Sequence, residues 1–300
     1  MTIYRQAGLL SVMLVLLLFR LPGVAQRQAE HRELSPDPSI VSRAAQNELD
    51  ALESPLDFQY CQRLQFGWGS EMLDVIETEE GQASRIVAFH DEPVTPDQAL
   101  KQQRRLEKLL TDDKAARGEF EEQESEKQRR TRMMKALSQA FVFQFIGRDQ
   151  NGDWMFSFRP NPRFSPKDRE TEVFHGMEGT LWLQPRQERL TRIEGSLFKD
   201  VSFGWGIFGR VYKGGRYEIA QTEISPGVWR VTTLNFEFKG RTFPFESFHA
   251  LKLESDSHFH RTPAGMTYHD ALETLLEGKS RRNSTRASAC FAQSSRRRQN

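Results

Sequence analysis

The chain has 300 residues, with 42 Lys or Arg against 41 Asp or Glu and a formal net charge of +1. That length supports one large or two modest domains with a real core, and the near balance of charge excludes a bulk electrostatic case for binding nucleic acid. The balance hides an asymmetry: residues 26–278 hold 33 basic against 41 acidic residues, a net of −8, whereas 279–300 hold seven Lys or Arg and no acid.

At the amino terminus Arg5 precedes an apolar run over 7–19, which Arg20 closes, and the small residues Gly23-Val24-Ala25 precede an expected cut after Ala25. This is the pattern of a secretory signal peptide over 1–25, and the run falls short of the ~20 apolar residues of a spanning helix. The expected mature product is soluble, and periplasmic or secreted. Residues 26–38, with Pro36 and Pro38, read as a linker.

Over 39–52 the residues Ile40, Val41, Ala44, Ala45, Leu49 and Leu52 recur at helical spacing, which predicts a short amphipathic helix. Segments 58–66, 72–77 and 83–90 read as strands, with Glu79-Glu80-Gly81 as a turn and 67–70 as a loop. Thr95-Pro96-Asp97-Gln98 then starts a helix: a capping threonine, a proline at the first helical position and a glutamine completing a capping box. It opens a charged helical arm over 96–141, with a break expected at Gly118. The end of the arm, with Met133, Met134, Leu137, Ala140 and Phe141, is expected to pack on the sheet. Its basic clusters at 101–105 and 129–132 are offset by Glu119, Glu121, Glu122, Glu124 and Glu126, so they read as a solvated face rather than a nucleic-acid site.

From Phe141 the pattern turns to alternation. Asp149-Gln150-Asn151-Gly152-Asp153 is a hairpin turn before a strand at 154–160, and a loop or short helix follows to Gly176. Between Gly179 and His260 short alternating runs are separated by turn residues, Lys239-Gly240 among them, which predicts an antiparallel meander. The expected fold is α+β: a large antiparallel meander sheet curled as a half-open barrel over one or two helices. A single domain spans 39–278, and the Ser- and Arg-rich 279–300 is a basic disordered tail. Cys61 falls in a strand and Cys290 in that tail. An oxidising compartment permits them to pair, but nothing in the sequence brings the tail to the strand, so both states stay open.

Motifs with chemistry are few. Gly204-Trp205-Gly206-Ile207-Phe208-Gly209 has dinucleotide-turn spacing but is followed by another strand and hairpin, so the phosphate-binding context is missing. Trp205, Ile207 and Phe208 then read as a membrane-touching loop or as a packed corner of the sheet. His258 and His260 would share a strand face, but two further ligands are missing, so no metal is expected. No nucleophile or acid–base set stands out, and neither catalytic residues nor a cofactor are expected. The aromatic load is more informative. Trp182, Phe198, Trp229, Phe236, Phe238, Phe243 and Phe245 lie in the sheet region and are the candidate lining of a cleft for an acyl chain or other apolar ligand, if helices fill the concave face only in part.

Several segments together resemble a family: Arg85-Ile86-Val87-Ala88-Phe89-His90-Asp91-Glu92-Pro93, Phe158-Arg159-Pro160-Asn161-Pro162, Gly179-Thr180-Leu181-Trp182-Leu183 and Phe203-Gly204-Trp205-Gly206. With the helix–strand order around them, they resemble secreted bacterial proteins of the outer-membrane lipoprotein-sorting type, related in shape to the periplasmic lipoprotein localisation factors. The resemblance implies a half-open barrel that holds lipoprotein acyl chains, and no catalytic residue. The charged arm and basic tail depart from those carriers. The expected function is a non-enzymatic periplasmic binding or carrier protein for an acyl chain, lipid or lipoprotein, with transient membrane contact and no specific nucleic acid. The alternative is an envelope interaction protein that docks partners through the arm and tail.

Overall fold

The computed structural model describes residues 36–37, 39–54, 57–203, 209–242, 246–277 and 290. The expected signal peptide, most of the linker, the loop residues Trp205, Ile207 and Phe208, Phe243, Phe245 and the basic tail apart from Cys290 lie outside the described residues.

The amphipathic spacing at the start becomes α1 (Ile40–Glu53), which buries Ile40, Val41, Ala44 and Ala45 along one stripe. Strands β1 (Phe58–Phe66), β2 (Gly69–Glu77), β3 (Gln82–Phe89) and the short β4 (Glu92–Pro93) follow as successive antiparallel neighbours. Next come α2 (Pro96–Thr111) and α3 (Asp113–Ala140). The capping box forms as its residues predict: the Gln98 N–H donates to Thr95 Oγ1 at 3.3 Å and the Thr95 N–H to Gln98 Oε1 at 2.8 Å. The break expected at Gly118 falls instead at Asp112, whose carboxylate accepts from the N–H groups of Lys114 and Ala115. A short acidic side chain that caps two free N–H groups starts a new helix there, whereas a glycine inside a helix costs only about 1 kcal/mol.

α3 passes without a loop into β5 (Phe141–Arg148), and β6 (Trp154–Pro160) returns from the Asp149–Asp153 turn. The short α4 (Arg169–Glu172) and a 3₁₀ turn (Val173–Gly176) lead to β7 (Met177–Gln184), β8 (Arg189–Leu197), β9 (Val201–Phe203), β10 (Gly209–Val211), β11 (Arg216–Ser225), β12 (Val228–Thr242) and β13 (Glu246–Arg261). Helix α5 (Tyr268–Glu277), absent from the sequence expectations, closes the described chain before Cys290.

Thirteen strands form one open antiparallel sheet, in the order β4-β3-β2-β1-β13-β12-β11-β8-β7-β6-β5, with the β9–β10 pair attached to β12. The α+β class and the large antiparallel sheet are as expected. Lys239-Gly240 is not a turn: β12 runs through it to Thr242, and Gly240 lies opposite Phe248. A Cβ at Gly240 would sit 2.6 Å from the Phe248 ring, so the glycine serves close approach rather than reversal.

Register separates the two faces. Leu181, Ile193, Ile219 and Leu234 follow one another across β7, β8, β11 and β12, so they share a face. On that face α1 and the end of α3 pack with Phe141, Phe156, Phe158, Leu181, Leu183, Leu190 and Tyr217. Tyr217 lies opposite Gly195, where a Cβ would stand 2.5 Å from its hydroxyl, and that hydroxyl donates to the Glu178 carbonyl at 3.2 Å. On the opposite face, and at the other end of the sheet, α2 and α5 pack Leu106, Tyr268, Ala271, Leu272 and Leu275 onto Ile76 and Ala83. Each full burial of such an apolar side chain contributes about 1.5–3 kcal/mol.

Three donors converge on one carboxylate to lock α1 to the sheet. Buried Glu48 accepts from Arg189 Nη2 at 2.9 Å, the Leu190 N–H at 3.1 Å and Gln221 Nε2 at 2.8 Å. Burial pushes its pKa up, and these hydrogen bonds and the Arg189 charge pull the other way.

Cys61 and Cys290, left open by the sequence, are joined in a disulfide with Cα atoms 5.6 Å apart. Both are buried, beside Met72, Val87 and Ala88. The bond spans 229 residues of chain, so it removes much of the freedom of the unfolded state. Urea unfolding of a Cys61→Ala/Cys290→Ala variant is expected to show a stability loss of about 3–5 kcal/mol relative to the oxidised wild-type chain; an unchanged midpoint and slope would contradict that constraint.

Candidate functional site

Two features are built on the sheet: an open groove on one face over β7 to β13, and on the other a part-buried charge cluster where β1 and β2 come near β12 and β13.

The groove lies on the face that carries α2 and α5, but over β7, β8, β11, β12 and β13, away from those helices, which pack at β2 and β3. It encloses about 830 Å³. Two cross-strand rows form its floor. One runs Thr180, Glu194, Glu218, Asn235, Leu253, and the next Ser196, Arg216, Glu237, Leu251. The floor is therefore polar over β7 to β12 and apolar over β13, where Leu253 is 38% exposed.

Hydrogen bonds and ion pairs set the geometry of the polar part. Arg192 Nη2 pairs with Glu194 at 2.5 Å and Glu218 at 3.1 Å, and its guanidinium lies 5.0 Å from the Trp182 ring centre. Asn235 Nδ2 donates to Glu218 Oε2 at 3.1 Å, and the His249 ring meets Glu237 at 2.8 Å. Cross-strand neighbours thus hold these side chains flat along the sheet and leave the space above them open.

The aromatic residues expected to line one cleft are dispersed. Phe236 and Phe238 stack at 6.0 Å, but on the α1 face, half-buried against that core. Trp182 is on the groove face, buried beneath Arg192. Phe198 is exposed just past the end of β8, with the Lys199 ammonium 5.5 Å from its ring centre. Trp229, beyond the other end of β8, donates from Nε1 to Gln187 at 2.7 Å. Among the described members of the set, the structure brings together Phe236 and Phe238, and Phe236 also lines the groove. Period-two alternation assigns faces within one strand, but only register relates the faces of different strands.

The part-buried cluster lies on the α1 face of the sheet's centre. Arg230 of β12 makes a close ion pair with Glu77 of β2, and its guanidinium is 5.9 Å from the Tyr60 ring centre. The Tyr60 hydroxyl donates to Glu77 at 3.3 Å and accepts from Gln82 Nε2 at 2.8 Å. Along β13, Glu254 pairs with Lys252 at 2.7 Å and accepts from Gln62 at 3.2 Å. Asp256 completes the cluster, and its Oδ1 is buried without a hydrogen-bond partner among the described residues. Burial first, and then repulsion from Glu254, pushes its pKa up to about 8 against the pull of Gln62 and Arg230. Burial also raises the Tyr60 hydroxyl well above its usual value.

Sequence reading missed this cluster. Lys252, Glu254 and Asp256 alternate on one face, a signal that β13 carries charge where a core strand would be apolar. Their partners Gln62, Glu77 and Arg230 come from three other strands. The His258–His260 pair is split differently from simple alternation, because His258 adopts φ of 58° at an irregularity in the β1–β13 register. One group of metal-ligand type occurs among the described residues, His269, Asp270 and Glu273 on the exposed side of α5. Asp270 is engaged there in capping, accepting from Thr267 Oγ1 at 2.7 Å and the Thr267 N–H at 3.0 Å.

The pKa of Asp256 makes stability pH-dependent. It stands at about 8 in the fold against 3.8 for an unperturbed aspartate, so its contribution is fully present below about pH 4 and is lost as pH rises through 8. Asp256→Asn is expected to flatten the melting temperature between pH 4 and 8 and to raise it at pH 8.5, with little change at pH 4; parallel wild-type and variant curves across that range would refute the assignment. No protein-family model matches the chain, and no curated protein matches its sequence.

Proposed function

We propose that the chain is a non-enzymatic binding or carrier protein of the cell envelope, in which the sheet curls as a half-open barrel and cradles an acyl chain, a lipid or the acylated end of a lipoprotein. The observation that carries this reading is the groove itself: about 830 Å³ of open space across five strands, away from the described helices of that face. That volume is in the range of sites that bury small organic ligands, roughly 300–1,000 Å³. Its two-part floor suits an amphipathic molecule, with the apolar portion over Leu251 and Leu253 and the polar portion beside Glu194, Glu218, Asn235 and Arg216. The signal-peptide pattern and the resemblance to the lipoprotein-sorting group support an envelope location and an acyl ligand.

Of the aromatic residues expected from sequence, Phe236 lines the groove while packing with Phe238 against the α1 core, and Leu251 and Leu253 add apolar contact. The alternative, docking through the charged arm, has less support, because α3 is tied to the body at several points. Gln123 exchanges hydrogen bonds with the Gln82 backbone at 2.8 Å, Phe120 packs on Tyr268, and Arg132 pairs with Glu170 at 3.3 Å.

Titration with a fluorescent fatty acid tests the proposal. The wild-type chain is expected to bind it, and Leu253→Glu to weaken binding at least tenfold with an unchanged melting temperature, since Leu253 is already partly exposed. Phe238→Ala is expected to lower stability instead. Wild-type protein that ignores the probe and carries no extractable lipid would overturn the reading.

A further inference from the structure

The two edges of the sheet are built differently. At one edge, β4 is two residues long and holds Glu92 and Pro93. A short strand with a charge and a proline, which has no N–H to donate, cannot template another strand. At the other edge, β5 offers eight residues, FVFQFIGR, with no proline and no acidic side chain. Among the described residues β6 is its sole strand neighbour, so half of its backbone N–H and C=O groups face outward.

The side chains of β5 are also unusual for an edge. Val142 is 57% exposed and Ile146 49%, and no other described strand carries two exposed large apolar residues. They alternate with Phe143 and Phe145, which are half-buried against the α1 core.

We propose that this edge pairs with the β5 strand of a second copy, antiparallel about a two-fold axis at Gln144. That register sets Val142 opposite the partner's Ile146, Phe143 opposite the partner's Phe145, and the Gln144 amide opposite the partner's Gln144. Apolar side chains meet apolar side chains on both faces, and the amides meet at the axis. Moving the axis by one residue sets Val142 or Ile146 against the Gln144 amide. An odd register turns the second copy over and sets Phe143 against that amide. The irregularity between Phe145 and Gly147 falls on Ile146, the last residue of this segment, where it bends β5 and ends the ladder. Such an isologous contact closes as a dimer and does not propagate. It continues the α1 core through Phe143 and Phe145, and it leaves the groove over β7 to β13 open.

The test uses the oxidised full-length chain without reductant, so that the Cys61–Cys290 bond stays intact. Sedimentation velocity at micromolar concentration is expected to show a dimer. Gln144→Cys is expected to cross-link two copies under mild oxidation, because directly opposed Cβ atoms stand about 4.5–5.5 Å apart. Val142→Cys is expected not to, since its counterpart lies four residues along the partner strand, roughly 13 Å away. Val142→Lys/Ile146→Lys, which sets like charges opposite one another at two exposed positions, is expected to give a monomer with an unchanged circular dichroism spectrum. A monomeric wild-type chain overturns the proposal. So does a dimer that survives the double lysine variant, or one in which the two cysteine variants cross-link equally.

Discussion

The pairing of β13 with β1 is the constraint on which the rest of the structure depends. It runs from Phe58 opposite Arg261 to Phe66 opposite Lys252, and it joins two antiparallel arrays that the chain makes some two hundred residues apart. Without it the first hairpins and the closing meander would be separate sheets, each with an additional bare edge. With it, one sheet carries every described strand, and each described helix acquires a defined face to cover. The Cys61–Cys290 bond reinforces the same seam, since Cys61 lies in β1.

Helices cover opposite faces at opposite ends of this long sheet, and the central strands pay for neither cover with a continuous apolar core. They hold charge instead. On one face, Arg230, Glu77, Glu254 and Asp256 meet between strands, where burial magnifies each unpaired group. On the other face, the rows from Thr180 to Leu253 and from Ser196 to Leu251 stay open to form the groove. Both features follow from placing two helical layers on a sheet too wide for either.

Local structure was largely legible. The capping box at Thr95, the alternation in β5 to β8 and the turn at Asp149 to Asp153 follow from short-range chemistry, and each forms as read. Helix α5 went unpredicted, although the spacing of Tyr268, Ala271, Leu272 and Leu275 after the Thr267 and Asp270 cap encodes it locally. The aromatic lining was not. Trp182 and Phe236 each sit at an apolar position of an alternating strand, yet they occupy opposite faces of the sheet.

By itself the sequence determined most helices, strands and turns and most of the residues that share a face within one strand, because these depend on neighbours a few positions apart. Tertiary structure alone decided that β13 meets β1, that Phe236 and Phe238 pack against a core, that Asp256 sits part-buried near Glu254 and Arg230, and that Cys290 reaches Cys61. Each of these depends on register between distant strands or on closure of a long loop. A hydrogen bond such as that from Gln62 to Glu254 spans 192 positions, and no local pattern encodes it.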